Sequence, residues 1–248
     1  MVLLGLFAIG TYSYQMAKKR CYNESKIIIT LLISAIGVFL GSHLLYAVVN
    51  YKAIRSLIQD EPNNNSFTKF FPQVVLMFGG SVFYGGLIGG IIAVYMIKRK
   101  NREELKYQLD VITPGIPLFH FFGRIGCFLA GCCFGKPCAF GFTFTHSLVE
   151  ESNGLKRFPV QILEAFLNLI LFFILSREST YRKFKGNMPA LYLLIYSSFR
   201  FITEFFRGDE YRGIWLSLST SQWISVILCV LSATILLGSR RTLYEGTS

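Results

Sequence analysis

Seven apolar stretches, at about 1–17, 27–49, 72–97, 109–132, 159–176, 187–206 and 219–238, recur along these 248 residues. Each is close to the length needed to cross roughly 30 Å of hydrocarbon as a helix. A chain in hydrocarbon must satisfy its backbone hydrogen bonds internally, so such a series dictates a bundle of membrane helices. Composition agrees, with 52% hydrophobic and 16% charged residues, where a soluble domain carries about 25% charged residues. An all-α, seven-span integral membrane bundle in a single domain over residues 1–248 is expected. Disorder, a coiled coil and a small disulfide scaffold are excluded by the apolar content and the lack of heptads. The first stretch has no basic segment before it and is followed by Lys18, Lys19 and Arg20. That order is the reverse of a signal peptide, so it is expected to be a true span.

The net charge of +11 is explained by topology. Lys and Arg cluster at 18–26, 98–106, 177–185 and 240–241, about twice as many as on the opposite connections. The positive-inside rule then places the N-terminus outside and the C-terminus in the cytoplasm, and removes the case for nucleic acid. Residues 50–71 are polar and Asn-rich and read as an outer loop. Residues 133–158, with Gly135, Pro137, Gly141 and Gly154 around an alternating stretch, suit a small outer loop region or a short strand pair.

Two arginines remain inside the spans, Arg124 and Arg200. A guanidinium in hydrocarbon is costly and normally faces a polar cavity with a function. At 1.5 Å per residue both lie roughly 20 Å above the inner boundary. Tyr84, entering from outside, lies at a similar depth, so one cavity is expected to hold all three. In the sixth span Tyr196, Arg200, Glu204 and Arg207 share one stripe about 80° wide at 100° per residue. Glu204 stands four residues from Arg200 and three from Arg207 and can hold either. An anion site is expected, in which Glu204 fixes Arg200 and two guanidinium groups face a phosphate.

Glycines cluster at Gly85, Gly86, Gly89 and Gly90. Close helix packing accounts for Gly89 and Gly90, and Gly85 and Gly86, after Tyr84, let a lipid head group approach the backbone. Gly123, Gly126, Gly131 and Gly135 suggest a helix that breaks near its outer end. Cys127, Cys132, Cys133 and Cys138 lie close together in sequence. Their spacing is not that of standard zinc ligands, and a disulfide is the expected use of cysteines facing outward, with Cys127 a buried thiol. No metal and no cofactor are expected.

The strings FYGGLIGG, HFFGRIGCFLAGCCFGKP, RFPVQILEAF and YSSFRFITEFFRGD, in that order, resemble the prolipoprotein diacylglyceryl transferase family over nearly the whole chain. The resemblance implies a multi-pass enzyme of the bacterial plasma membrane. Such an enzyme moves the diacylglyceryl group of phosphatidylglycerol to the lipobox cysteine thiol of a prolipoprotein, whose signal peptide is the second partner. It implies catalytic roles for Arg124, Arg200 and Tyr84, and substrate-binding roles for Gly85, Gly86, Gly135, Tyr196, Glu204 and Arg207. Tyr84 stands where the family motif has a histidine, Cys127 where it has an asparagine and Cys132 where it has an acid. An unperturbed phenol has a pKa of about 10 and is a poor base at neutral pH, so Tyr84 is expected to hydrogen-bond. Transfer to a non-protein acceptor and non-catalytic lipid binding are the alternative functions.

Overall fold

The polar residues of the long helices face inward and their large apolar side chains face out, the reverse of a soluble protein. In the computed structural model, which describes residues 1–49, 51, 83–98, 101–147, 149–181, 186–208 and 214–245, this inversion is sharpest in two helices. One is Val160–Tyr181, where Gln161, Glu164 and Asn168 are each 1% exposed while Phe166 and Phe173 are about 60% exposed. The other is Thr220–Glu245, where Gln222, Ser225 and Ser232 are buried while Ile227, Val230 and Leu231 are exposed. Outward apolar side chains suit hydrocarbon as the surrounding solvent, and many inward polar groups find partners within the protein. Ser225 and Ser232, for instance, donate to the carbonyls of Ser221 and Leu228 at 2.8 and 2.6 Å.

The helices in chain order are α1 (Val2–Lys19), α2 (Glu24–Val49), α3 (Phe83–Lys98), α4 (Arg102–Ile112), α5 (Ile116–Ala130), α6 (Val160–Tyr181), α7 (Met188–Glu204) and α8 (Thr220–Glu245). A single 3-10 turn at Thr113–Gly115 joins α4 to α5. Among the described residues, four stretches are long and apolar enough to cross a membrane: α2, the continuous run Arg102–Ala130, α6, and Thr220–Ser239 of α8. The expected loop at 50–71 lies outside the described residues, apart from Tyr51, as does the beginning of the expected third stretch.

Two compact units are present, one of residues 25–105 and one of residues 1–24 with 106–248. Within the first, α2 and α3 meet through glycines. A Cβ on Gly41 or Gly85 would strike the carbonyl oxygen of the other, and a Cβ on Gly89 that of Gly37. Small residues thus let the two backbones touch, as membrane helix pairs require.

Within the second unit α1 packs on α5, α5 on α6, α6 on α7 and α7 on α8. Gly5 of α1 sits against Phe119, and the Arg20 guanidinium donates to Ser179 Oγ at 2.6 Å. A buried carboxylate organises the start of α7 from a distance. Asp110 accepts from the backbone amides of Gly186 and of Met188, the latter at 3.1 Å. These are amide groups that a helix leaves without intrahelical partners.

The end of α5 shows where the glycine-rich segment breaks. The helix runs unbroken through Gly123 and Gly126 and stops after Ala130. Gly131 takes a left-handed conformation (φ 68°), its amide donating to Phe128 O and that of Cys132 to Cys127 O, both at 3.1 Å. That is a Schellman closure, which glycine adopts without strain. Beyond it, β1 (Pro137–Thr143) pairs antiparallel with β2 (Lys156–Arg157), and β3 (Ile214–Trp215) with β4 (Leu218–Ser219). At the start of α8 the Ser219 amide donates to Gln222 Oε1 at 2.9 Å while the Gln222 amide donates to Ser219 Oγ at 3.2 Å. This reciprocal cap fixes the N-terminus of α8.

Candidate active site

One carboxylate gathers the arginines. Glu164, 1% exposed on the inner face of α6, accepts Arg124 Nε from α5 and Arg200 Nη1 from α7, each at 2.7 Å. Thr203 Oγ1 donates to the same oxygen as Arg200 at 3.2 Å, and Arg207 Nη1 stands 4.0 Å from it. Arg124 and Arg200 therefore come together as the sequence predicts, through a residue that sequence reasoning passed over. Its signal was present: Gln161, Glu164 and Asn168 repeat at i, i+3 and i+7 in an apolar segment, a polar stripe like that of the sixth span.

Glu204 resolves its two options toward Arg200. Its Oε2 lies 2.6 Å from Arg200 Nη2 and its Oε1 accepts from Ser219 Oγ at 3.0 Å. Arg200, 8% exposed, is thus held between two carboxylates. Among the described residues, Arg124, Arg200 and Arg207 thus cluster around Glu164 and Glu204. Arg124 has the most exposed side chain of the three, at 18%, and binds Glu164 through Nε. Its two Nη groups make no ion pair with a carboxylate among the described residues, and together they form the fork that fits a phosphate.

Tyr196 lies in the same neighbourhood. Its ring packs edge-on against His120 at 5.3 Å, stacks on Tyr192 at 5.5 Å, and its phenol is an electrostatic neighbour of Arg124. Gly135 belongs to a tight backbone crossing rather than to open space. It bridges to Arg207, and a Cβ there would strike the carbonyl oxygen of Phe158 and stand 3.0 Å from that of Phe206. The flanking amides of Lys136 and Gly208 close the crossing by donating to Phe206 O and Phe134 O at 3.0 Å. We expect Gly135→Ala to destabilise the detergent-solubilised protein by about 1–3 kcal/mol, the usual cost of overpacking. Thermal unfolding of the two proteins side by side measures it.

Gly85 and Gly86 are both buried in α3, Gly85 against Gly41 and Leu45 and Gly86 against Val38. Packing against α2 thus uses all four glycines of the cluster, not Gly89 and Gly90 alone. Tyr84 is in the first turn of α3, and its side chain lies outside the described residues.

The cysteines depart from expectation. All six are free thiols, so the disulfide expected near residues 127–138 is not formed. Cys138 turns away, donating to Phe140 O. The Sγ atoms of Cys127, Cys132 and Cys133 instead lie within 4.8 Å of one another. The Cys133 thiol is held well below its ordinary range by hydrogen bonds from Cys127 and Cys132, then by the charge of Arg207, against the opposing effect of burial.

This constellation, an arginine-rich pocket wired to a G-R-x-G helix, meets its relatives here. A family model described as prolipoprotein diacylglyceryl transferase matches residues 1–238. The chain belongs to that family. A relative from Clostridium tetani, named phosphatidylglycerol–prolipoprotein diacylglyceryl transferase, is 39% identical over 235 residues, 93% of this chain and 88% of the relative. A second, from Clostridium perfringens and named phosphatidylglycerol–prolipoprotein diacylglyceryl transferase 2, is 31% identical over 93% of this chain and 85% of its own length. One from Helicobacter pylori J99, also so named, is 31% identical over 82% of this chain and 72% of its own. Membership in the prolipoprotein diacylglyceryl transferase family covers the described arginine cluster and both hairpins in full.

If Glu204 positions Arg200, an amide at that place keeps the Ser219 contact and loses only the ion pair. We expect Glu204→Gln to reduce turnover by about tenfold or less, one 1.4 kcal/mol step. A loss as deep as that of Arg200→Ala would instead assign Glu204 a direct role in proton transfer.

Proposed function

We propose that this chain is a phosphatidylglycerol–prolipoprotein diacylglyceryl transferase of the bacterial plasma membrane, crossing it seven times with its N-terminus outside. Family membership and the gathering of arginines around Glu164 support the reading, and the Nη edge of Arg124, which makes no ion pair with a carboxylate among the described residues, is the observation that carries it.

In the reaction the acceptor cysteine, as thiolate, attacks the glyceryl carbon next to the phosphate ester. A carbon–sulfur bond forms, the carbon–oxygen bond breaks, and its electron pair leaves on the oxygen of glycerol phosphate. Charge therefore grows on the phosphate. The Arg124 fork meets it directly, while Arg200, locked by Glu164 and Glu204, adds positive field in a site with little water. Preorganisation matters because donors already in place need no rearrangement as charge develops. Tyr196 and Arg207 complete the wall of the phosphate site, and Gly135 keeps Arg207 in register. Tyr84, Gly85 and Gly86 are assigned to substrate from their motif.

Purified protein, labelled phosphatidylglycerol and a lipobox peptide test this. A thioether-linked diacylglyceryl peptide is expected, with one glycerol phosphate released for each. Release without peptide modification would point to another acceptor, and binding without turnover to a lipid-binding protein. Tyr84→Phe in the same assay is expected to lower turnover modestly and leave the pH profile unchanged. A loss of about 10²–10⁴-fold, the scale of a general base, with disappearance of an alkaline ionisation would show a phenolate base instead.

A further inference from the structure

The turn after α5 brings three sulfurs together in a way their spacing does not announce. In an extended chain Cys132 and Cys133 would point to opposite sides. Here Cys133 has a left-handed backbone (φ 58°), a conformation L-residues with side chains rarely take, and its sulfur joins those of Cys127 and Cys132 within 4.8 Å. Backbone and side-chain hydrogen bonds pin the turn, with Cys132 Sγ itself donating to Cys127 O at 3.6 Å. The Cys132 amide donates to Cys127 O at 3.1 Å, and Gln161 Nε2 of α6 donates to Cys132 O at 2.8 Å. All three cysteines are half-buried, enclosed yet reachable.

We propose that Cys127, Cys132 and Cys133 form a trithiolate site for a soft divalent d10 cation, zinc, with one coordination position left for water. Zinc–sulfur bonds of about 2.3 Å in a tetrahedron place sulfurs about 3.8 Å apart, so closing from the present separation takes an ångström or less of side-chain rotation. Binding displaces whatever protons the three sulfurs still carry, so that all three bind as thiolates, and no electron transfer is involved. The resulting complex of one zinc and three thiolates carries a single negative charge. Arg207, which hydrogen-bonds to Cys133, and Arg124, an electrostatic neighbour of Cys133, place positive charge beside it. The carboxylate that faces this side, Glu164, is already engaged by Arg124 and Arg200.

The test reads the metal directly, so it stands apart from the transferase assay. The full chain is purified in detergent under reducing conditions, stripped with a chelator and titrated with cobalt(II). One equivalent is expected to produce a sulfur-to-cobalt charge-transfer band and tetrahedral d–d absorption, both erased by zinc. Cys127→Ser, Cys132→Ser and Cys133→Ser should each weaken binding by more than about 100-fold, beyond the cost of losing an outer hydrogen bond. Cys138→Ser and Cys229→Ser should leave it unchanged. On the unsubstituted chain, zinc should protect these three thiols from maleimide while the exposed Cys21 reacts as before. Three results would overturn the proposal: no charge-transfer band at saturating cobalt, equal maleimide labelling with and without zinc, or recovery of two of the three as a disulfide from native membranes.

Discussion

Replacing Arg124 by alanine should leave an inserted protein whose transferase turnover falls by about 10²–10³-fold or more, the loss seen when one preorganised donor to developing charge is removed. Arg124 is the arginine whose Nη pair is turned away from the carboxylates, so alanine removes the fork without breaking the Arg200–Glu164 and Arg200–Glu204 pairs. Arg124→Lys should recover little, because an ammonium offers a point charge and cannot both hold Glu164 and grip two phosphate oxygens. Arg200→Ala should be comparably inactive for a different reason. It strips the Arg200 partner from two buried carboxylates and lowers the positive charge of the cluster by one. Turnover of labelled phosphatidylglycerol, read beside the amount of protein in the membrane, separates these outcomes from misfolding. Near-normal turnover in Arg124→Ala would exclude it from the phosphate site.

Glu164→Gln is expected to match these losses although Glu164 reacts with nothing. Its carboxylate is shared by Arg124 and Arg200 and approached by Arg207. Removing the charge leaves three buried guanidinium groups facing one carboxylate, and breaking a buried ion pair in this way costs about 3–5 kcal/mol. Part of that cost should appear as a lower thermal midpoint in detergent. The rest should appear as turnover reduced by about 100-fold, since the Arg124 fork loses the anchor that aims it. A phosphate analogue added to the assay should raise the midpoint of the variant more than that of the parent, because an anion replaces the missing charge. Equal shifts in the two proteins would show that Glu164 does not govern the anion site.

Where sequence reasoning succeeded, it worked within single segments. The grouping of Tyr196, Arg200 and Glu204 follows from helical periodicity, whereas Arg207, expected on the same helical stripe, lies past the end of α7 and is placed by its bridge to Gly135. The arginines within apolar segments stand out because hydrocarbon penalises charge. The missed residue, Glu164, lies near the start of its span at residue 164, where a carboxylate reads as part of a boundary. Periodicity in its own helix held the clue, in the polar positions Gln161, Glu164 and Asn168.

Hydropathy, charge and helical periodicity alone determined that this chain is a helical membrane protein, which arginines fall within apolar segments, and that Tyr196, Arg200 and Glu204 share a face of α7. These are local properties, set by which groups leave water and by the 100° step of a helix. The tertiary structure alone decided which carboxylate joins the arginines, that Asp110 caps α7 from 78 residues away, and that three cysteines converge after α5. Such pairings depend on how far each helix is rotated and which neighbour it meets, and a left-handed residue such as Cys133 redirects a side chain with no change in spacing. Contacts between segments are fixed by packing, because any two faces of suitable polarity satisfy the same sequence pattern until the helices are brought together.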